Sequence, residues 1–131
     1  MAAAFHEFRV RVYYEDTDLA GIVYYANYLK FIERARTEWV RELGISQTET
    51  KLNDGIVFAV RRVEADYISP AQFDDELVVK SQPIHASAAQ ITLQQDVHRG
   101  DALLFASKVT LVALKENGRP ARLPEVLREI T

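Results

Sequence analysis

Apolar residues recur at every second position from Phe8 to Tyr14 (Phe8, Val10, Val12, Tyr14), with Arg9 and Arg11 between them. That alternation predicts a half-buried strand. From about Ala26 to Leu43 the period lengthens: Tyr28, Ile32, Ala35, Trp39 and Leu43 fall three or four apart on one stripe, thickened by Leu29, Phe31 and Val40. The spacing predicts a long helix that needs cover on more than one side, with Asn27 as N-cap and Gly44 as its stop. The second half reads as strands. Ile56 to Ile68 is rich in valine and aromatics and is stopped by Ser69-Pro70. Glu76 to Lys80 begins another strand, and Pro83 near its end marks an edge or a bulge. Ile91, Leu93, Gln95 and Val97 alternate with Gln90, Thr92, Gln94, Asp96 and His98, giving one dry and one wet face. After the turn Arg99-Gly100-Asp101, Ala102 to Lys115 is apolar on both faces, the pattern of a central strand. Asn117-Gly118 signals a turn, and Pro124 opens a short terminal helix through Ile130.

The order is thus strand, long helix, then about four antiparallel strands, which predicts an α+β layer fold with one sheet face covering the helix. Residues 1–131 read as a single domain, with no linker, repeat or low-complexity segment. A sheet of this size leaves edges and apolar surface over, so a dimer that extends or packs sheets is expected. Hydrophobic content of 48% and charged content of 27% are those of a soluble globule. The net charge of −3 with mixed signs argues against a nucleic-acid partner. There is no cysteine, which excludes disulfides and thiol nucleophiles and fits a reducing compartment. The start, MAAAFHEFRV, has no signal-peptide apolar region and no run reaches membrane-spanning length, so a cytoplasmic protein without a membrane span is expected.

Chemistry concentrates between Tyr13 and Glu38. A strand-like run ends in two carboxylates, Asp16 and Asp18; a glycine turn at Gly21 follows, then an aromatic entry into the long helix. A carboxylate placed just ahead of a helix N-terminus, where backbone N–H groups are free, is a plan for attacking a carbonyl. Two acids this close can also raise one another's pKa or hold a metal. With no histidine beside them, Asp16 reads more simply as a turn or cap acceptor, and no metal is expected. Asp16-x-Asp18 superficially matches Mg²⁺-dependent phosphatases of the haloacid dehalogenase kind. Ala20 stands where that motif needs Thr or Val, however, and no alternating βαβ pattern follows. His6, His85 and His98 are scattered and read as surface residues.

The run Asp16-Thr17-Asp18-Leu19-Ala20-Gly21-Ile22-Val23-Tyr24-Tyr25-Ala26-Asn27-Tyr28 resembles the signature D-x-D-x-x-G-[IV]-V-[YW]-[HY]-x-x-Y of hotdog-fold thioesterases of the 4-hydroxybenzoyl-CoA thioesterase type. Phe31 to Glu38, and Asp66-Tyr67-Ile68-Ser69-Pro70-Ala71 followed by Asp74-Asp75-Glu76-Leu77, resemble the branch associated with the Tol-Pal cell-envelope system. The resemblance implies a hotdog: a curved antiparallel sheet of about five strands around one long central helix. It further implies a homodimer or homotetramer with its active site between subunits, hydrolysing short-chain or aromatic acyl-CoA thioesters without a cofactor. By position in the motif, Asp18 is the catalytic carboxylate, as nucleophile or as general base on water, and the backbone N–H of Tyr25 polarises the carbonyl. Many Tol-Pal members carry His where this chain has Tyr25; the change leaves the main-chain donor intact. Hotdog dehydratases use a catalytic His that this region lacks.

Around that pair, Gly21 is read as admitting close substrate approach, with an ordinary turn glycine as the alternative. Glu33, two helical turns beyond Tyr25, is placed to meet the polar end of a substrate, or else is solvated or ion-paired with its basic neighbours. Arg61 and Arg62, adjacent on a strand, are expected on opposite faces, one of them meeting CoA phosphates; Arg119 and Arg122 are equal candidates. A second reading keeps the fold but makes the chain a binding or scaffold module, recruiting acyl carrier protein or phospholipid-synthesis enzymes at the cell envelope.

Overall fold

Val10 and Val12 are buried while Arg9 and Arg11 point to solvent, so the first alternation sets a strand as it predicts. The computed structural model describes residues 5–131. The reading of the N-terminal segment as leader-free rests partly on residues 1–4, which lie outside the described residues. The first strand, β1 (His6–Arg11), is shorter than its alternation. Tyr14 belongs instead to a 3-10 turn, Tyr14–Asp16, because the Tyr13 N–H donates to the Asp16 carboxylate at 2.8 Å and closes the chain early.

Helix α1 (Asn27–Glu42) buries Tyr28, Phe31, Ile32, Ala35, Trp39 and Val40 of the stripe read from the sequence, while Leu29 is exposed and Leu43 caps the helix half-buried. Asn27 is not its N-cap. Ala26 holds that position, and the Asn27 side chain is drawn away to donate to Asp16 Oδ1 at 2.9 Å. Gly44, with φ +88°, stops the helix as expected. A second helix, α2 (Gln47–Asp54), was not anticipated. It buries none of its residues, so it has no apolar stripe to read. Its signals are local: Ser46 accepts from the Glu49 N–H at 3.2 Å, and Gly55 closes the far end at φ +65°.

The remaining strands are β2 (Ile56–Tyr67), β3 (Glu76–Ala86), β4 (Gln90–Arg99), β5 (Ala102–Lys115) and the two-residue β6 (Pro120–Ala121), with helix α3 (Glu125–Arg128) opened by Pro124. They form one antiparallel sheet in the order β1-β3-β4-β5-β2, with β6 beside β5. This is the hotdog arrangement, the sheet curving around α1. Strand β3 runs past Lys80 to Ala86, with a bulge between Pro83 and His85. Among the described residues β1 pairs with β3 only as far as Ser81, so Pro83 lies where the missing N–H costs no ladder bond to β1. Strand β5 lies inside the sheet, between β4 and β2.

The inner face packs Leu77, Val79, Ile91, Leu93, Val97, Phe105 and Val109 against α1. Gln95, a polar residue on that dry face, is wholly buried but fully employed. Its amide donates to the Ile32 carbonyl at 3.0 Å and to Ser81 Oγ at 2.9 Å, and its Oε1 accepts from Arg36 at 3.0 Å. The network ties helix to sheet by direction as well as by area.

Strand β2, like β1, stands at an edge of the sheet and among the described residues pairs with one neighbour only, β5; its Val60, Val63 and Tyr67, whose partners Leu111, Val109 and Phe105 are buried on the inner face, are 41–49% exposed. Helix α1 covers them only in part: Tyr67 meets Tyr28 edge-on at 5.6 Å, and Val60 faces Glu33, Arg36 and Val40 across a groove.

Phe31 carries no exposed surface. Replacing it with Ala is expected to cost about 3–5 kcal/mol, read as a shifted urea midpoint; a cost below about 1 kcal/mol would mean that the helix–sheet core is not packed around it.

Candidate active site

Asp16 is the fastening of the site loop. Nearly buried, its carboxylate accepts from the Tyr13 N–H and the Asn27 side chain, and its carbonyl accepts from the Tyr24 N–H at 2.9 Å. The acceptor role read for it from sequence is the one it plays. The chain then turns back on itself. Thr17 bridges Val23, the Asp18 N–H donates to the Ile22 carbonyl at 2.9 Å, and the Gly21 N–H donates to the Asp18 carbonyl at 2.9 Å. Asp18 Oδ1 accepts from the Ala20 N–H at 2.9 Å, which fixes the carboxylate on an exposed turn. Gly21 sits at φ +80°, a conformation unfavourable for any residue with a Cβ. A Cβ there would meet nothing within 4 Å, so within one chain it is backbone conformation, not a close neighbour, that calls for glycine.

This loop rests on the 68–75 segment. The Val23 N–H donates to the Ala71 carbonyl at 2.8 Å, Ile22 bridges Gln72, and the Ala71 N–H donates to the buried Tyr28 hydroxyl at 3.0 Å. The site loop is therefore seated through Ala71 on the first turn of α1.

Two peptide planes ahead of the helix are held by their carbonyls. The Tyr24 carbonyl accepts from the Asn27 N–H at 2.8 Å, and the Tyr25 carbonyl accepts from the Tyr67 hydroxyl at 2.9 Å. A trans peptide points its N–H opposite to its C=O, and none of these bonds is cis. The N–H groups of Tyr25 and Ala26 are thereby turned away from those partners, and among the described residues neither has an acceptor. Free amides at the positive end of a 16-residue helix favour an anion. Asp18 lies on the turn of the hairpin closed by the Thr17–Val23 bridge and the Tyr24 N–H to Asp16 bond, and these amides follow directly after its second arm.

Tyr67 escaped the sequence reading as a site residue. It closes β2, 42 positions from its partner, and only the folded sheet brings the two together. Its ring meets Tyr25 edge-on at 6.1 Å, Tyr28 at 5.6 Å and Phe105 at 5.0 Å. Burial, then the neighbouring Tyr25 and Tyr28, push its hydroxyl above the ordinary tyrosine value, so it stays protonated and able to donate at neutral pH.

The outlying candidates fall in three places. Glu33 is exposed, accepts from the Thr37 hydroxyl, and with Arg36, Val40, Phe58, Val60 and Leu111 lines a groove of about 200 Å³ between α1 and β2. Arg61 and Arg62 do not lie on opposite faces. A bulge between Val60 and Arg62 breaks the alternation; Arg62 then opposes Thr110, while Arg61 donates to Gln90 at 3.1 Å, and both partners belong to the outer face. Arg119 follows the Lys115 end of β5, whereas Tyr67 pairs with Phe105 near its other end. Ten residues of strand, about 33 Å, thus separate Arg119 from the Tyr25 region within one chain. Arg122 lies by α2 and α3 at the same far end.

The Thioesterase superfamily profile matches residues 20–106, more than half of the chain. The acyl-CoA thioesterase YbgC of Haemophilus influenzae is 39% identical over 124 residues, covering 92% of this chain and 90% of that protein. This chain is a member of the thioesterase superfamily. A protein described as a probable thioesterase from Bartonella henselae superposes with a TM-score of 0.88 at 38% identity, over 92% of this chain and all of that one. A 4-hydroxybenzoyl CoA thioesterase complexed with 4-hydroxybenzoyl CoA superposes with a TM-score of 0.90 over 97% of this chain and 98% of that one. At 22% identity that likeness speaks for the fold alone.

Replacing Asp16 with Ala strands the Tyr13 N–H and the Asn27 amide at once. The expected cost is about 2–3 kcal/mol of stability by chemical denaturation; a neutral substitution would mean that the loop is held elsewhere.

Proposed function

We propose that this thioesterase hydrolyses short-chain or aromatic acyl-CoA thioesters, with Asp18 as the attacking or water-activating carboxylate and the Tyr25 N–H as the donor to the thioester carbonyl. The observation that carries the reading is a hairpin that runs into the helix: an exposed carboxylate oriented by the Ala20 N–H on its turn, and directly after its second arm two amides with no acceptor among the described residues. The YbgC relative is named for the same reaction class. In the nucleophilic route Asp18 attacks the carbonyl carbon, and the carbonyl oxygen takes up negative charge against the amide. CoA thiolate then leaves, and water hydrolyses the resulting mixed anhydride back to carboxylate and free acid. In the general-base route water attacks directly while Asp18 takes its proton. Thiolate is a good leaving group, so neither route needs a separate acid.

A homo-oligomer completes this reading. The unpaired edge of β2 and the exposed inner stripe Val60, Val63 and Tyr67 are surfaces that a second copy would cover, closing the open hairpin into a groove. Glu33, on the polar rim of the groove beside α1, is placed for the far end of an acyl group. Contact of Arg61 or Arg62 with CoA phosphates requires the nucleotide to reach the outer face of β2.

Two measurements test the proposal. Across a panel of short-chain, long-chain and aromatic acyl-CoAs, Asp18→Asn should lower kcat by about 10²–10⁴ with an unchanged circular dichroism spectrum; near-normal turnover would remove Asp18 from the mechanism. In sedimentation velocity the 14.9 kDa chain should run as a dimer or tetramer, and a monomer at micromolar concentration would refute a shared site.

A further inference from the structure

We infer that Tyr67 is a positioning residue of the reaction: its hydroxyl, by holding the Tyr25 carbonyl, sets the direction of the adjacent Ala26 N–H, a second amide donor to the thioester carbonyl beside the Tyr25 N–H. The inference rests on the proposed role of the Tyr25 N–H and goes beyond it, because it adds the neighbouring Ala26 N–H as a second donor and assigns the aim of that second donor to one side chain on another element.

The geometry is specific. Of the two peptide planes before the helix, the Tyr24 carbonyl is held by the backbone, through the Asn27 N–H, so any sequence that starts a helix there supplies it. The Tyr25 carbonyl, by contrast, is held by a side chain, Tyr67 Oη at 2.9 Å. In a planar trans peptide that same bond fixes the Ala26 N–H on the opposite side. The Tyr25 N–H lies in the preceding plane and is set by the backbone, so the two donors are aimed by different partners. The hydroxyl is itself held in place. The Tyr67 ring lies edge-on against Phe105 at 5.0 Å and Tyr28 at 5.6 Å, and those two rings stack on each other at 4.9 Å in the core. Tyr67 thus carries the rigidity of the sheet to a turn that is otherwise exposed.

A role in stability alone would be a poor use of this bond. Tyr67 is 49% exposed and Tyr25 62% exposed, and a hydrogen bond at such a site adds little to folding because water replaces it readily. Its value lies in direction. Donors that polarise a developing oxyanion act only when held at the oxygen's final position, and a small misplacement forfeits much of the effect.

Tyr67→Phe removes the hydroxyl and keeps the ring packing. It should lower kcat about 10- to 100-fold, a milder loss than deleting an oxyanion donor outright, with KM within about two-fold and the thermal midpoint nearly unchanged. A spectroscopic readout separates aim from fold. The best acyl-CoA of the panel, labelled with ¹³C at the thioester carbonyl, is bound to Asp18→Asn and to the Asp18→Asn/Tyr67→Phe double variant. Its carbonyl stretch should move to higher wavenumber in the double variant, as polarisation weakens. If Asp18→Asn abolishes turnover while Tyr67→Phe keeps wild-type kcat and the same carbonyl frequency, the positioning role is wrong and the proposed function stands. A loss of stability that raises KM as much as it lowers kcat would reduce Tyr67 to a structural residue and overturn the inference. Normal turnover in Asp18→Asn would remove the proposed function, and the inference with it.

Discussion

A helix that is apolar over more than one side has to be wrapped, and most of this structure follows from wrapping α1. Trp39, Phe31 and Ile32 are sealed on the inner face of the sheet, and the sheet curves because one flat layer does not cover so wide a stripe. The cover is incomplete in one place. Along β2 the helix covers the inner face only in part, leaving Val60, Val63 and Tyr67 about half exposed beside a strand edge that no described residue pairs. The fold thus leaves a groove beside the helix and an apolar stripe open to solvent in the same part of the surface.

The wrapped helix also has an end, and the end is where chemistry becomes available. The core fixes where α1 begins, through Tyr28 and its bond from Ala71; Asp16 fixes how the incoming loop meets it. Buried polar groups are spent on holding the loop, while exposed ones remain free to act. Asp16 and Asp18 show the division plainly. Two residues apart, one is nearly buried with its carboxylate bound by two donors, and the other stands on an exposed turn with its carboxylate held by a single backbone N–H. Identical side chains have become a fastener and a candidate reagent through burial alone.

What could be read from the sequence, and what could not, divides along the same physical line. The stripe of α1, the alternation of β4 and the glycine turn at Gly21 are local periodicities or local φ demands, and each appears where the chain shows it. The misses arise where a side chain's partner is distant. Asn27 looked like a cap because caps are local, yet its amide serves Asp16 across the loop. Arg61 and Arg62 were placed on opposite faces by a strict period of two, and a bulge set by pairing with β5 cancels that period. Helix α2 escaped because it buries nothing, leaving only its capping residues as a signal. Tyr67 belonged to a recognisable stretch, but its contact with Tyr25 exists only once β2 is laid against α1.

The proposed machinery makes no reference to the acyl group. A carboxylate and a main-chain amide address the thioester linkage itself, which every acyl-CoA shares. Neither donor nor attacker would therefore change if the substrate did, and a signature built from them marks the reaction class far better than the substrate. Selectivity has to come from what lines the groove farther along α1 and β2, where Glu33, Arg36 and Thr37 face Val60 and Leu111, and from whatever a second protomer adds against the open stripe. Those residues come from separate elements, and in an oligomer from separate chains. In the proposed site the attacking and polarising groups are thus close together in sequence, whereas the residues that line the groove are dispersed over several elements.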